Sequence, residues 1–146
     1  MNQTIEKFIS GTTFVLAGVS KDSRKFGNAI LKELVSRGFT VYPVHPSLDS
    51  VEGVKCYRSL DLVVEFTQSL IVCVKPENAV SVVKVAAAAG FKSVWLQQGC
   101  GTEEVKAAAE KAGLEVVAGK CILMYTEPVG GLHKFHRGIV RLFGKY

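Results

Sequence analysis

Short apolar runs alternate with longer amphipathic segments along most of the chain. Five of these runs are partly β-branched, as expected for strands buried on both faces, and they lie at residues 14–17, 40–44, 69–74, 93–96 and 115–118. Between them, apolar residues recur at helical spacing, which predicts helices beginning near Phe26, Pro76 and Thr102. The alternation predicts an α/β fold, a Rossmann-like, doubly wound and mainly parallel sheet of about five strands.

The two ends of the chain extend this pattern. Ile5 and Phe8 indicate a short first helix closed by Gly11. From residue 132 onward, apolar residues share one helical stripe and basic residues lie largely elsewhere, which predicts a C-terminal amphipathic helix. We expect this helix to dock against the body or a second subunit, so that a homo-oligomer could form through it. Binding to a membrane surface would call for more cations or a second anchor.

Length and composition point to one small domain. The 146 residues are 48% apolar, enough for one buried core, and the longest apolar runs are far shorter than a membrane span. The first residues lack the basic start and apolar centre of a signal peptide, so a cytoplasmic protein is expected. We assign one domain over residues 1–146, with a core at 12–121 and an extension at 122–146. Much of the net charge of +5 lies in the extension, and nucleic acid is not the expected partner.

The first strand is followed by a turn suited to phosphate. Gly18 ends the strand, residues 20–25 are polar, and a helix begins directly afterwards. The unpaired N–H groups at a helix N-terminus favour an anion. Three cations strengthen the expectation: Lys21, Arg24 and Lys25. A solvated loop with an N-cap is the simpler alternative.

The glycine pattern argues against NAD. A dinucleotide fingerprint has the form G-x-G-x-x-G, whereas Ser20 fills the second glycine position here and Gly27 lies further on. The second strand ends in His45-Pro46 instead of the acidic residue that holds the ribose of NAD, although Asp49 is near. A ribose that itself carries phosphate fits better, which leaves NADP and coenzyme A (CoA). An ordinary loop histidine is the alternative for His45.

Other candidate residues follow the later strands. Ligands of parallel sheets bind beyond the carboxyl ends of the strands, where the strand order reverses. Those exits are residues 18–24, 44–46, 75–78, 97–101 and 119–121. At the fourth exit, Gln97 and Gln98 supply amides and Gly99 a flexible backbone, with simple loop solvation as the alternative.

The cysteines indicate neither disulfides nor a metal site. Cys56, Cys73, Cys100 and Cys121 show no C-x-x-C spacing. His133 and His136 are three residues apart and could join Cys121 at a metal, but no further ligand has a recognisable spacing, so no metal is expected.

Several ordered motifs together resemble the CoA-binding domain family, small proteins similar to the N-terminal domain of the succinyl-CoA ligase alpha subunit. The motifs are AGVSKDSRKFGN, VYPVHP, VCVKPENA, VWLQQGCGTEEV and VVAGKC. The resemblance covers roughly residues 14–121. Val19 departs from the small residue that is common in the family turn, and the extension lies outside the family core.

The resemblance implies a set of CoA contacts. The phosphates would lie against the first turn, at Gly18, Val19, Ser20, Lys21 and Arg24. The adenosine part would lie by His45 and Pro46. The other side of the cleft would be formed by Val74, Lys75 and Pro76. Gln97 and Gly99 match a family motif whose role is less defined, and Cys121 matches a cysteine common in the family.

The sequence predicts binding and no reaction. It contains no recognisable Ser-His-Asp, paired-carboxylate or metal-ligand constellation, and none of its histidines lies in the glycine-rich loop that a ligase of the succinyl-CoA type would phosphorylate. We therefore expect a non-catalytic protein that carries or senses CoA or acyl-CoA. The alternatives are a small NADP-dependent oxidoreductase and an accessory that binds nucleic acid or a membrane surface through its tail.

A mixed disulfide between the CoA thiol and Cys100 or Cys121 is a further hypothesis, with inert packed cysteines as the alternative.

Overall fold

A computed structural model describes residues 3–128 of the chain. Four helices are present in this range: α1 (Gln3–Ile9), α2 (Phe26–Ser36), α3 (Pro76–Ala89) and α4 (Glu103–Lys111). Its strands are β1 (Thr13–Ala17), β2 (Thr40–Val44), β3 (Ser50–Val51), β4 (Val54–Lys55), β5 (Ser69–Val72), β6 (Ser93–Gln97) and β7 (Glu115–Lys120). Single 3₁₀ turns lie at Leu60–Leu62 and Ile122–Met124. The expected C-terminal helix and the pair His133 and His136 lie outside the described residues.

Five of the strands form one parallel sheet in the order β2-β1-β5-β6-β7. The first crossover runs from β1 outward to β2, and the chain then returns to the other side of β1 to build β5, β6 and β7. The strand order therefore reverses between β1 and β5, which is where sheets of this type bind ligands. The Rossmann-like fold that the alternation predicts is confirmed.

Each face of the sheet is covered by a pair of helices. On one face, α1 and α2 pack against alternate strand residues such as Phe14, Leu16 and Trp95. On the other face, α3 and α4 pack against Val15, Leu96 and their neighbours. Strand residues are therefore buried on both faces, as expected from runs that are apolar without alternation. No helix in the described part of the chain is long and apolar enough to cross a membrane.

The structure corrects two details of the predicted strands. The third predicted strand, at 69–74, ends at Val72, so Cys73 and Val74 belong to the loop at the reversal point. A small antiparallel hairpin of β3 and β4 was not predicted, because two-residue strands carry no readable periodicity. Its turn places Glu52 at a φ of 50° and Gly53 at 76°.

A buried arginine fastens the segment after β7 to α2. Arg37 directly follows α2 and is only 3% exposed. Its Nη1 donates to the carbonyl oxygens of Leu123 and Thr126, both at 2.8 Å, and to the Thr126 hydroxyl at 3.1 Å. Its Nε donates to Glu33 at 3.0 Å. This one side chain thus satisfies several polar groups that the fold removes from water.

Candidate functional site

A cleft opens at the reversal point of the sheet. It has a volume of about 430 Å³ and lies between the turn after β1 and the loop after β5. Its walls are formed by Gly18, Val19, Ser20, Lys25, Phe26, Gly27, Cys73, Val74, Lys75 and Asn78. These residues include two lysines and no carboxylate, a composition suited to an anionic ligand.

Two glycines allow the turn to fit between β1, α2 and the loop after β5. Gly18 has a φ of 128°, and a methyl group added to it would lie 2.1 Å from the Cys73 carbonyl oxygen. A methyl group added to Gly27 would lie 2.2 Å from the carbonyl oxygen of Gly18. Gly27 therefore does what the third glycine of a dinucleotide fingerprint does, since it lets the helix approach the strand end closely.

Two helix N-termini meet at the cleft. Lys25 precedes α2 and Lys75 precedes α3, and both residues have extended backbones and no side-chain cap. Among the described residues, no hydrogen bond is donated by the backbone N–H of Phe26 or Gly27, the first two residues of α2. The positive ends of both helix dipoles and both lysines thus act on the same space.

The structure places the predicted phosphate residues in two groups. Gly18, Val19 and Ser20 line the cleft, whereas Lys21 and Arg24 are exposed and lie outside its wall. Arg24 is 88% exposed and forms a bidentate pair with Asp22, at 3.0 and 3.1 Å. The side-chain bond from Arg24 is the main cause that lowers the pKa of Asp22.

Residues near the second strand end lie at the same edge of the sheet as the cleft but not in its wall. The His45 N–H donates to the Tyr57 carbonyl at 2.8 Å, and its Nδ1 accepts from the Ser47 N–H at 3.1 Å. Arg58, which the sequence did not single out, donates to the Pro46 carbonyl and pairs with Asp49. The Asp49 carboxylate, which could have held the ribose of NAD, is therefore paired with the Arg58 guanidinium.

The residues of the fourth strand end are separate from the cleft wall. Gln97 is fully buried, and its Oε1 accepts from the Ile122 N–H at 3.0 Å. Its Nε2 has no hydrogen-bond partner within the described residues. Gly99 is exposed at a φ of 94°. The solvated loop considered for the glutamine pair does not hold for Gln97, because β6 extends through this residue.

Of the residues from the third exit, Val74 and Lys75 line the cleft and Pro76 does not. Pro76 begins α3, where its missing N–H costs nothing, and it borders a second groove between α3 and α4. That groove is larger, at about 900 Å³. Three carboxylates line it, from Glu77, Glu103 and Glu104, so it disfavours phosphate.

Sequence reasoning did not place Phe26, Gly27 and Cys73 in the wall of the site, whereas Asn78, within the third strand exit, was expected there and lines it. Phe26 could have been identified from the sequence. It is an apolar residue at the first position of a helix, directly after a run of polar residues, where burial in the core is not expected. It is 51% exposed at the mouth of the cleft. An exposed aromatic ring at a phosphate-binding turn offers a stacking or packing surface to the organic part of a ligand.

The cysteine that lines the cleft is Cys73, and not either of the two singled out for reaction with the CoA thiol. Burial, with smaller effects from Cys100 and Cys121, raises the pKa of the Cys73 thiol to about 11. Burial also raises the pKa of Cys100, and Cys100 and Cys121 are both buried. Within the part of the chain that is described, no group of three or more ligating side chains could hold a metal.

We predict that Cys73 reacts slowly with alkylating reagents. A thiol with a pKa of about 11 is mostly protonated at pH 8, so iodoacetamide should label it about 100-fold more slowly than the same cysteine in urea-unfolded protein. Labelling should accelerate as the pH rises toward 11. Peptide mapping by mass spectrometry gives both rates, and equal rates in the folded and unfolded protein would show that the thiol is not shielded.

Comparisons with known proteins agree on the family. The chain is 39% identical over 89 residues to an ADP-forming acetate–CoA ligase of Methanocaldococcus jannaschii, a match covering 60% of this chain and 12% of that protein. A conserved hypothetical protein from Pyrococcus furiosus is 43% identical with a TM-score of 0.72, over 77% of this chain and 97% of that one. The apo form of the dinucleotide-forming acetyl-coenzyme A synthetase 1 of Korarchaeum cryptofilum is 26% identical with a TM-score of 0.67, over 77% and 27%.

The chain thus spans only a small part of the ligase and of the synthetase that it resembles, and nearly the whole of the small Pyrococcus protein. A family model described as a CoA binding domain matches residues 12–127. That range includes the cleft, both lysines and every strand of the parallel sheet. The chain belongs to the CoA-binding domain family.

Proposed function

We propose that this protein binds coenzyme A or an acyl-CoA in the cleft between the turn after β1 and the loop after β5, as a non-catalytic carrier, sensor or regulatory module. The observation that carries the proposal is the meeting of two helix N-termini and two lysines, Lys25 and Lys75, at the reversal point of a CoA-binding family fold. CoA carries a diphosphate and a further phosphate on its ribose. Such a ligand needs concentrated positive potential more than it needs a deep pocket.

The diphosphate would lie at the N-terminus of α2. The N–H groups of Phe26 and Gly27 would donate to it, with Lys25 and Lys75 on either side. Ser20 would contribute its hydroxyl proton, because the hydroxyl oxygen already accepts from the Asp22 N–H at 3.0 Å. Gly18 and Val19 would contribute their backbone surface.

The adenosine part would extend from the turn toward the end of β2. His45 and Pro46 lie there, and Arg58 adds a cation within hydrogen-bond reach of the Pro46 carbonyl, at 3.3 Å. A ribose phosphate in this region would have Arg58 as well as Arg24 and Lys21 available to it. Val74 and Pro76 would border the pantetheine, while Gln97 and Gly99 would support the chain behind the cleft.

The proposal of binding without reaction rests on the side chains that line the cleft. Among them, Cys73 has a raised pKa, and Lys25 and Lys75 are side chains that commonly bind phosphate. The lining residues include no carboxylate or histidine that could transfer a proton. The competing proposal is a small NADP-dependent oxidoreductase. It is favoured by His45-Pro46 in place of an acidic strand end, and by the pairing of Asp49 with Arg58.

The similarity to a longer ligase also bears on the role of this chain. The curated relative is named as an acetate–CoA ligase, and we propose that this chain corresponds to the part of such a protein that holds CoA. The cytoplasmic location and a homo-oligomer formed through the C-terminal residues stay predictions from the sequence.

Native mass spectrometry of the purified full chain tests the proposed ligand class. We expect a co-purifying or added ligand of CoA or acyl-CoA mass at one per chain, which leaves when the protein is denatured. A bound species with the mass of a nicotinamide dinucleotide would overturn the proposal.

We predict that Arg24→Ala weakens CoA more than dephospho-CoA. The guanidinium is exposed and could leave Asp22 for a ribose phosphate, so its loss should cost CoA about tenfold in affinity and dephospho-CoA much less. Calorimetric titration of the two ligands gives the comparison. Equal losses for both would relocate Arg24 away from that phosphate.

A further inference from the structure

The hairpin of β3 and β4 reaches the phosphate turn through one buried side chain. Asn28, in the first turn of α2, is 1% exposed. Its Oδ1 accepts from the Ser20 N–H at 2.8 Å, and its Nδ2 donates to the Ser20 carbonyl at 2.8 Å. The same Nδ2 donates to the Glu52 carboxylate at 3.0 Å. The turn after β1 is therefore connected to the hairpin in two steps, from Ser20 to Asn28 and from Asn28 to Glu52, which lies 24 residues after Asn28 in the chain.

Glu52 reinforces the orientation of the Asn28 amide that the Ser20 backbone also requires. A carboxylate only accepts hydrogen bonds, so it requires the amide NH₂ on its side. With the amide in that orientation, the oxygen faces the Ser20 N–H, and all three contacts are satisfied. A reversed amide would set oxygen against both the Glu52 carboxylate and the Ser20 carbonyl, and NH₂ against the Ser20 N–H, so Glu52 and Ser20 together hold the amide in one orientation.

The backbone at Glu52 indicates that its side chain is needed there. Its φ is 50°, the only positive value for a non-glycine residue in the described part of the chain. Glycine, asparagine or aspartate are the residues that adopt this conformation readily, and glutamate does so at a cost.

We propose that Glu52 is a positioning residue for phosphate binding, acting through Asn28 to hold Ser20. This inference rests on the proposed function and adds a residue outside the cleft wall. With the Ser20 backbone held by Asn28, the turn would keep a shape that leaves the N–H groups of Phe26 and Gly27 available to the diphosphate. Glu52 stands behind the buried Asn28 instead of lining the cleft, so its charge acts on the amide more directly than on the ligand.

Three substitutions of Glu52 in the full chain separate positioning from charge and from folding. Glu52→Ala should weaken CoA about tenfold in calorimetric titration, because the Asn28 amide loses one of its three contacts and holds Ser20 less firmly. Glu52→Gln keeps an accepting oxygen and should bind CoA within about threefold of the original protein. Glu52→Gly removes the side chain but relieves the backbone, so it should melt no lower than the original protein and still bind as weakly as Glu52→Ala.

Glu65→Ala is the matched control, because it removes an exposed carboxylate that does not line the cleft. It should leave CoA affinity unchanged or slightly raised, as expected when a negative charge is removed from a protein that binds an anion. Wild-type affinity in both Glu52→Ala and Glu52→Gly would overturn the inference. So would a Glu52→Gln variant as weak as Glu52→Ala, since the accepting oxygen would then not be what matters.

Amide hydrogen exchange without ligand distinguishes this inference from the proposed function. The Ser20 N–H should exchange slowly in the original protein and in Glu52→Gln, and at least tenfold faster in Glu52→Ala. If CoA does not bind the original protein but this exchange pattern is found, the proposed function fails and the positioning of Ser20 stands. If CoA binds and the exchange of Ser20 is the same in all variants, the inference alone fails.

Discussion

Replacing Arg37 by methionine should lower the free energy of unfolding by about 3 kcal/mol, more than any other single polar substitution that we consider. The methionine fills a similar volume but donates nothing. The Thr126 carbonyl oxygen, in a buried contact, and the Leu123 carbonyl oxygen, in a part-buried one, would both lose the Arg37 donor at 2.8 Å. Each unpaired buried carbonyl costs about 1–3 kcal/mol. Glu33 is 37% exposed on its side chain, so water would replace its lost partner at little cost.

Urea denaturation of both proteins measures this effect. Lys7→Met is the control, because Lys7 also forms a single ion pair, with Glu115 at 2.9 Å, but is 70% exposed. This surface pair should contribute less than about 1 kcal/mol. Equal losses from Arg37→Met and Lys7→Met would show that the buried contacts of Arg37 do not hold the segment after β7 in place.

The second large effect is expected from Gly27→Ala, which should reduce CoA affinity by about 100-fold or more. The added methyl group would lie 2.2 Å from the Gly18 carbonyl oxygen and 2.8 Å from the Gly18 carbonyl carbon. Both are backbone atoms, so the whole turn must move away from α2. The phosphate would then lose its alignment with the N–H groups of Phe26 and Gly27, and two hydrogen bonds to a charged group are worth at least this factor.

Calorimetric titration with CoA, together with a melting curve, tests the Gly27 prediction. Gly11→Ala is the matched control, since its added methyl group would have nothing nearer than 3.9 Å and lies outside the cleft. It should change neither affinity nor melting temperature appreciably. If Gly27→Ala folds and binds CoA as tightly as the control, close packing of α2 on the turn is not what builds the site.

The fold was predictable because its signals are local and repeated. Each strand of the parallel sheet is a separate apolar run, and each helix shows its own periodicity. The hairpin of β3 and β4 was missed because it is too short for periodicity and is defined by its turn at Glu52 and Gly53. The first turn of the site was predictable for the same reason as the strands, since Gly18 and the polar run after it are neighbours in sequence.

The rest of the site depends on contacts between distant segments, which one sequence does not display. Gly27 lies too far from Gly18 for the usual fingerprint spacing, so its close packing against the Gly18 carbonyl is evident only in the structure. Gln97 reads as a loop residue, and it is buried only because the segment at Ile122 returns across the end of β6. The sequence indicates that Arg24 is a cation of the cleft, but in the structure it pairs with Asp22 outside the wall. The cations that line the cleft are Lys25 and Lys75.

The most direct test of the central claim is a competition titration of the full chain with CoA and NADPH. The account predicts that CoA binds at micromolar concentration or tighter, that NADPH binds far more weakly, and that CoA displaces any NADPH that does bind. Micromolar binding of NADPH that CoA does not compete away would contradict it.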